Sequence, residues 1–436
     1  MNQQSTTGGN LKSYNARAVY TEPVWKRSLL EFSVSKSNSK NISQKETMDY
    51  NNGNGKYDQV NVLLSNDFEN TYGFTNAGLR IRTQKKKYNY SFGANWQQAQ
   101  LEGKITSGSN DSLISKTFPN ILPNGRFQYN FNRYKNVSLT YSTATNQPSM
   151  SQLQPVPDNS NSLNIREGNP DLKQEYNHNV QANLNFLNPY KNKNLFMFLR
   201  MQGTENKIVN YDIIDQLGIK RTKPVNIDGV YTINSEISYS IPVRFLKGSV
   251  EISSNTGLFK TKQFINTVGN NIKALSVGPE LQLDMNPTDK LSVAVGAGFN
   301  YNKTKYSLQS ALNTNYLSQE YNASLDWEMP KGFFFSTDFT YTINGQRAAG
   351  FNTNVPLWNA SISKQMLKFN RGELKFSARD LLDKNIGISR NTNNNYIEDS
   401  RVLTLRQFFL LSFTYSLSKT GLNNAGSGGG MRVITR

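Results

Sequence analysis

Few side chains in this sequence could do chemistry, and they are widely spaced. The 436-residue chain contains one histidine, His178, and no cysteine, which excludes disulfide scaffolds, thiolate zinc sites and cysteine nucleophiles. A Ser-His-Asp arrangement would have to combine His178 with Asp158 or Asp171, and nearness in sequence is no evidence of the required geometry. His178 stands at the start of a predicted strand, where a polar residue at a loop edge is the commoner case. We therefore expect no catalytic residues and no enzyme.

Residues 49–60, DYNNGNGKYDQV, superficially resemble a calcium-binding loop. Asp49 and Asn51 occupy its first and third positions, but Val60 stands where the loop needs a bidentate glutamate. The sequence also lacks a glycine-rich loop that could cradle a phosphate. We therefore expect no metal site and no cofactor.

Composition and charge narrow the class of protein further. Only 36% of the residues are hydrophobic and the mean hydropathy is −0.61, which is too polar for a large buried core. The 24 Phe and 22 Tyr do not fit a disordered chain either. The net charge is +18, but the basic residues are scattered apart from Lys85-Lys86-Lys87. We interpret them as parts of solvated turns and loops and expect no nucleic-acid partner, because such a face needs clustered charge.

The sequence contains no segment typical of a membrane helix or an export signal. No run approaches 18 apolar residues, and the densest patch, Phe408-Phe409-Leu410-Leu411, is far too short. The opening residues, MNQQSTTGGNLKSYNAR, lack the apolar region of a signal peptide. Either the protein is cytosolic or the sequence begins downstream of its true start.

The secondary structure predicted along most of the chain consists of β-strands. Residues 291–302 alternate between larger apolar side chains and small or polar ones, and residues 275–285, 88–97 and 409–417 show the same period of two. This period predicts strands with one apolar face and one polar face. The pattern predicts about seventeen strands, near 12–22, 27–40, 72–84, 87–103, 116–132, 136–146, 176–188, 193–206, 227–241, 247–262, 271–286, 290–305, 315–328, 332–345, 355–369, 372–380 and 402–417.

The predicted connections alternate in length. Short turns rich in Asn, Pro, Asp and Gly, which supply turn geometry, alternate with long polar segments. One edge of the predicted sheet therefore has tight hairpins and the other has long loops. The short turns include 132–136, 188–193, 286–290, 329–332 and 370–373, and the long segments lie near 41–71, 147–175, 206–227 and 380–402.

This arrangement predicts an all-β fold, a transmembrane antiparallel up-and-down β-barrel. Strands of ten or more residues suit a tilted crossing of the hydrocarbon layer, and closure satisfies the backbone in lipid. Trp25, Tyr190 and Trp327 stand at or beside short turns, where a membrane boundary favours them. Several carboxylates are then expected to face the lumen, namely Glu236, Glu280, Asp284, Asp326 and Glu328.

The strand count also predicts that the barrel is partial. Bacterial single-chain barrels have even strand numbers, but here the first and last of seventeen strands run in the same direction. At least one further strand is expected, so we interpret the sequence as the C-terminal part of a larger barrel.

Residues 145–179, TNQPSMSQLQPVPDNSNSLNIREGNPDLKQEYNHN, resemble a signature of TonB-dependent receptor barrels, particularly the outer-membrane β-barrel family common in Bacteroidota. Segments 20–37, 64–103 and 374–385 resemble other strands of that family. Gln174 stands where the family usually has a proline. The signature residues are Pro148-Ser149, Leu153-Gln154-Pro155, Gly168, Asn169, Pro170, Asp171, Leu172 and Glu175.

The resemblance implies a barrel of about 22 strands in the cell outer membrane. Together with the strand pattern it predicts a partial barrel without plug domain at 12–417. The flanking segments are predicted to be a disordered segment at 1–11 and, from its composition, a flexible Gly-rich basic tail at 418–436. The implied partners are outer-membrane lipid, lipopolysaccharide and an unknown transported ligand. TonB is implied only through an N-terminal region that is not part of this sequence, so we expect a fragment.

The signature itself favours a structural role over direct ligand contact, although both alternatives stay open. Pro170 restricts Asn169 to an extended conformation, Gly168 permits an unusual turn, and Asp171 can hydrogen-bond nearby backbone. The resemblance implies ligand uptake across the outer membrane. The alternatives are a plug-free porin or passive channel, and a surface barrel or adhesin without transport.

Overall fold

The structure is a computed structural model that describes residues 3–62, 65–107, 110–153, 155, 157, 161, 163–308, 310–345, 354–392, 397–402 and 404–417. It contains one short helix, α1 (Met150–Leu153). The strands are β1 (Gln3–Trp25), β2 (Ser28–Asn51), β3 (Lys56–Val60), β4 (Asn66–Gln84), β5 (Tyr88–Ser107), β6 (Asn110–Asn132), β7 (Lys135–Asn146), β8 (Asn164–Arg166), β9 (Glu175–Asn188), β10 (Lys193–Glu205), β11 (Lys207–Ile214), β12 (Lys220–Ile227), β13 (Val230–Val243), β14 (Gly248–Ile265), β15 (Val268–Thr288), β16 (Leu291–Tyr306), β17 (Thr314–Met329), β18 (Phe333–Asn344), β19 (Asn354–Met366), β20 (Gly372–Arg379), β21 (Gly387–Thr392), β22 (Ile397–Val402) and β23 (Phe408–Tyr415).

Seventeen of these strands form one continuous antiparallel meander, and each predicted strand has its counterpart there. In order they are β1, β2, β4 to β7, β9, β10, β13 to β20 and β23. The fold prediction of a large up-and-down β-sheet is thus confirmed. Within the described residues the sheet is not closed, because β1 and β23 each pair along one side only.

The other six strands lie inside long connections that the sequence predicted as loops. β11 and β12 form an antiparallel hairpin, and β12 also pairs with β8 in parallel. These strands are short extensions of the sheet outside the meander. They form because backbone N–H and C=O groups pair with each other, and such pairing does not require an alternation of apolar and polar side chains.

The two longest deviations from the predicted bounds lie on the first hairpin, where β1 begins 9 residues earlier and β2 ends 11 residues later than predicted. β1 starts at Gln3, so the prediction of disorder for 1–11 is wrong from residue 3 onward, because Gln3 pairs with Asp49 and Leu11 with Asn41 on a longer β2. β23 starts at Phe408 and not at 402. The predicted tail at 418–436 lies outside the described residues.

Neighbouring strands align apolar residues on one face of the sheet. Ile252, Leu281 and Ala297 lie side by side on β14, β15 and β16, and the first two are about half exposed. The next row, on the opposite face, contains Ser253 and Glu280. Exposed apolar rows of this kind are unfavourable against water and favourable against lipid tails.

The main buried apolar cluster lies at the long-loop end, not inside the sheet. Leu101 and Ile114 on β5 and β6 pack with Met150 and Leu153 of α1 and with Leu172. We call residues 150–153, 163–175 and 207–227 the loop cap. In the described part of the chain no helix has the length and hydropathy needed to span a membrane.

Candidate functional site: polar wall, loop cap and turn rim

We call the polar face of the sheet the polar wall. It contains an open cavity of about 540 Å³ between β14 and β18. Its walls are carboxylate, amide and hydroxyl side chains interrupted by glycine. Such a surface can hydrogen-bond a polar solute but offers little to an apolar one. The lining includes Asn255, Glu280, Gly298, Glu320, Asn322 and Asn344.

Two of the cavity's carboxylates flank a glycine. Gly298 on β16 is directly opposite Glu280 on one side and Glu320 on the other, and residues paired in this way project to the same face. Because neighbouring strands lie about 4.8 Å apart, Glu280 and Glu320 are separated on the sheet by two such spacings. Gly298 leaves the space between them free of a side chain.

A second glycine row adds two carbonyl acceptors beside these carboxylates. The buried Gly296 is paired with Gln282 and with Asn322, and a Cβ built on it would overlap both side-chain oxygens. Gln282 Oε1 and Asn322 Oδ1 are buried and accept no hydrogen bond from the described residues. The absence of a side chain at Gly296 thus gives both oxygens room below the surface of the wall, and Asn322 also lines the cavity.

The other carboxylates predicted for the lumen make local contacts. Asp284 accepts a hydrogen bond from Gln282 at 3.2 Å and Asp326 accepts one from Ser336 at 2.6 Å. Glu328 lies 3.6 Å from Lys290 close to a short turn. Glu236 is exposed and paired in register with Asn255. Of the five predicted residues, Glu280 alone lines the cavity.

Asn169 of the signature fastens the loop cap together. Its backbone N–H donates to the carbonyl of Gln152 on α1 at 2.6 Å, and its side-chain amide donates to the carbonyl of Pro224 on β12 at 3.0 Å. Its Oδ1 accepts from the N–H of Asp171 at 3.0 Å. Gly168 is buried, but its φ is not positive, so the predicted unusual turn is not found at this residue.

Leu172 and Glu175 continue the signature into the buried part of the cap. Leu172 is 2% exposed and belongs to the apolar cluster. Glu175 is 5% exposed; its Oε1 accepts from the N–H of Ile208 at 2.9 Å and lies 2.9 Å from Lys207 Nζ. Its Oε2 accepts from Asn146 at 3.4 Å. The carboxylate thereby joins β7, β9 and β11.

The residues considered for catalysis and metal binding have other partners. His178 Nδ1 lies 2.9 Å from the Tyr141 hydroxyl and Nε2 lies 3.3 Å from Glu205. Residues 49–60 form the β2–β3 hairpin, whose tip is closed by a bond from the N–H of Gly53 to Asn51 Oδ1. The described residues contain no group of three His, Asp or Glu that could hold a metal ion.

The sheet also gathers basic residues that sequence reasoning treated as scattered. Every second connection of the meander reaches the same edge, so residues far apart in sequence become neighbours there. We call the eight connections at this edge the turn rim. Of its 25 residues, 13 are Lys or Arg and one, Asp289, is acidic. The rim consists of 26–27, 85–87, 133–134, 189–192, 244–247, 289–290, 330–332 and 367–371.

Comparison with protein families gives one match that covers almost the whole chain. The family is described as "Outer membrane protein beta-barrel family", and its model matches residues 1–271 and 247–415. A search of curated protein sequences gives no match.

Several solved structures are similar to the chain. The RagAB peptide importer in its "open-open" state aligns with a TM-score of 0.39 and 10% identity over 86% of this chain and 58% of that chain. The copper transporter OprC aligns with a TM-score of 0.44 and 10% identity, over 93% and 72% of the two chains. The siderophore receptor PirA from Pseudomonas aeruginosa aligns with a TM-score of 0.34 and 12% identity, over 93% and 71%. The chain therefore spans less than two thirds of the RagAB importer chain.

Proposed function

Because the chain belongs to the outer membrane protein beta-barrel family, we propose that its polar wall lines the path of a solute taken up across the outer membrane. The observation that carries this proposal is the wall itself, with seventeen spanning strands and a polar face. Barrels of 16–18 strands already leave an aqueous channel, whereas barrels of eight fill with side chains. A wall of this width is suited to passage.

The loop cap supports a receptor over a simple channel. A channel needs only a constriction, but here the signature residues tie α1, β9, β11 and β12 into one packed body at the mouth of the path. In this proposal Gly168, Asn169, Pro170, Asp171, Leu172 and Glu175 hold that body in shape, and the surface of the cap meets the ligand. Energy coupling through TonB would rest on a region outside these strands.

The cavity indicates the solute class. Glu280 and Glu320 provide negative charge, and Asn255, Asn300 and Asn322 provide amide side chains in the same lining. Such a surface favours solutes with ammonium or hydroxyl groups and disfavours anions. We propose a cationic or polyhydroxylated ligand.

The proposal can be tested by chemical labelling, because the chain has no cysteine of its own. A single cysteine is placed in the cavity with Ser276→Cys or Asn300→Cys. Intact cells are then treated with membrane-impermeant thiol reagents of similar size, one cationic and one anionic. We expect labelling, with the cationic reagent several-fold faster, because the two glutamates attract it.

Two controls define the outcome. Val295→Cys, on the apolar face of β16, should stay unlabelled, and Glu280→Gln with Glu320→Gln should remove the preference for the cationic reagent. A cavity cysteine that resists both reagents, or that reacts equally with them before the glutamates are removed, would contradict the proposed path. Constitutive ion conductance of the full-length protein in planar bilayers would favour a passive channel over a receptor.

A further inference from the structure

The two edges of the sheet carry very different charge. The turn rim holds 13 Lys or Arg and one Asp in 25 residues, whereas the eight connections at the opposite edge hold 12 Lys or Arg and 11 Asp or Glu in 114 residues. The rim thus has an excess of 12 positive charges and the other edge an excess of one. Most of the +18 net charge of the chain is concentrated along the rim.

The rim cations are exposed and have few internal anionic partners. Twelve of the thirteen are exposed and Arg371 is half-buried. Of the thirteen rim cations, only Lys290 lies within ion-pair distance of a carboxylate of the described residues, that of Glu328 at 3.6 Å. Lys85 Nζ hydrogen-bonds the Tyr88 hydroxyl at 2.9 Å, and this contact raises the pKa of Lys85. The rim charge is therefore available to a partner outside the chain.

Aromatic side chains are interleaved with these cations. Tyr190 and Phe245, in the turns themselves, are 84% and 86% exposed. The Arg133 guanidinium lies 4.5 Å from the ring centre of Tyr134, and Lys368 Nζ lies 5.3 Å from that of Phe369. Exposed rings beside cations are typical of a membrane boundary, where the ring contacts the upper acyl region and the cation reaches the headgroups.

Backbone geometry shows that three rim cations stand where the turn itself favours a different residue. Arg27, Lys247 and Lys331 have φ values of 68°, 47° and 64°, in the left-handed region where side chains with a Cβ are disfavoured. Glycine or asparagine would make the same turns with less strain. Lys247 Nζ donates to the carbonyl of Pro287, beside the neighbouring rim turn, at 3.0 Å. For Arg27 and Lys331, a cation at this position fits an interaction beyond the turn itself.

We propose that the turn rim binds the phosphate groups of anionic phospholipids in the membrane leaflet that surrounds it. Eight turns on one edge of a transmembrane sheet place their cations at one level, which matches a plane of headgroups. Short turns of outer-membrane barrels face the periplasm, so phospholipid and not lipopolysaccharide is the expected source of phosphate. This inference does not depend on which solute the polar wall admits.

The first experiment uses the unaltered full-length protein in a neutral detergent. It is titrated with dioleoylphosphatidylglycerol, dioleoylphosphatidylcholine or lipopolysaccharide, and bound lipids are counted by native mass spectrometry. We expect several phosphatidylglycerol molecules to stay bound where phosphatidylcholine does not, and their affinity to fall as salt is raised. Equal retention of the two phospholipids, or retention of lipopolysaccharide alone, would overturn the proposal.

Variants then locate the binding. K85Q/K86Q/K87Q removes three rim charges, and K56Q/R166Q/R221Q removes three exposed charges from the opposite edge. We expect the affinity for phosphatidylglycerol to fall roughly 10- to 100-fold in the rim variant and to stay unchanged in the control. K85R/K86R/K87R should keep the affinity, which separates lost charge from misfolding. Equal losses in the rim variant and the control, or an unchanged rim variant, would refute the assignment.

Discussion

The loop cap and the turn rim use charge in opposite ways. In the cap, charges of both signs lie close together, as in Glu175 with Lys207 at 2.9 Å and Glu167 with Lys223 at 3.6 Å. In the rim, cations lie next to one another with almost no acidic partners. Charges that are paired within the chain stabilise the structure of the loop cap, whereas the unpaired cations of the turn rim are free to bind an external partner.

We expect the largest effect when the buried leucine of the loop cap, Leu172, is truncated, because this change should open the cap without affecting the turn rim. Leu172→Ala deletes a side chain that is 2% exposed and packs with Leu101 and Leu153. A buried Leu→Ala change costs about 2–5 kcal/mol, so local opening of the cap should increase roughly 30-fold or more. Hydrogen-exchange mass spectrometry of 164–175 and 207–227 measures this directly.

The same cap offers a matched control. Leu163→Ala changes a leucine that is 64% exposed and should leave exchange unchanged. Phospholipid binding at the rim should be unaffected by both changes. If Leu172→Ala also weakened that binding, the two edges would be coupled through the sheet and the contrast between them would not hold.

A smaller effect is expected when one charge of the cap is removed. Glu175→Ala leaves the N–H of Ile208 without its acceptor and Lys207 without its partner, and a buried donor left unsatisfied costs about 1–3 kcal/mol. Glu167→Ala breaks an exposed pair, which contributes about 0–1 kcal/mol. Hydrogen exchange at residues 207–214 should therefore rise in the first variant far more than in the second.

Glu175→Gln separates the two roles of this carboxylate. The amide can still accept from the N–H of Ile208 but cannot pair with Lys207. A result close to the native protein would assign the stabilisation to the hydrogen bond, and a result close to Glu175→Ala would assign it to the ion pair. Equal exchange in Glu175→Ala and Glu167→Ala would show that burial does not distinguish the two carboxylates.

The sequence predicts the spanning strands well because each of them carries its information locally. The alternation along 291–302 predicts β16 with its two faces, since the apolar face meets one environment along its whole length. The extension of β1 to Gln3 and the β11–β12 hairpin were missed, because polar strands are specified by pairing with a partner that lies far away in sequence or by backbone bonds alone.

The candidate sites were harder to predict for the same reason. The signature residues could be found from their order in the chain, but not their contacts with Gln152, Pro224 and Ile208, which the fold brings from other segments. The turn rim had a readable signal, because each of its eight connections contains Lys or Arg. That signal appears only when alternate connections are assigned to one edge, and a count of local clusters cannot show it.

The smallest predicted effects come from a single substitution in the turn rim. It should raise the stability of the fold and at the same time lower the affinity for lipid. Lys331→Asn replaces a residue at φ 64° with one that tolerates the left-handed conformation. We expect stability in urea, measured in lipid bilayers, to rise by about 0.5 kcal/mol, while the affinity for phosphatidylglycerol falls a few-fold. Lys86→Asn removes the same charge at a turn residue whose φ is not positive, so it should weaken lipid binding to a similar degree without any gain in stability. If Lys331→Asn destabilised the barrel, the lysine would be serving its own hairpin, and the strain at this turn would no longer point to a partner outside the chain.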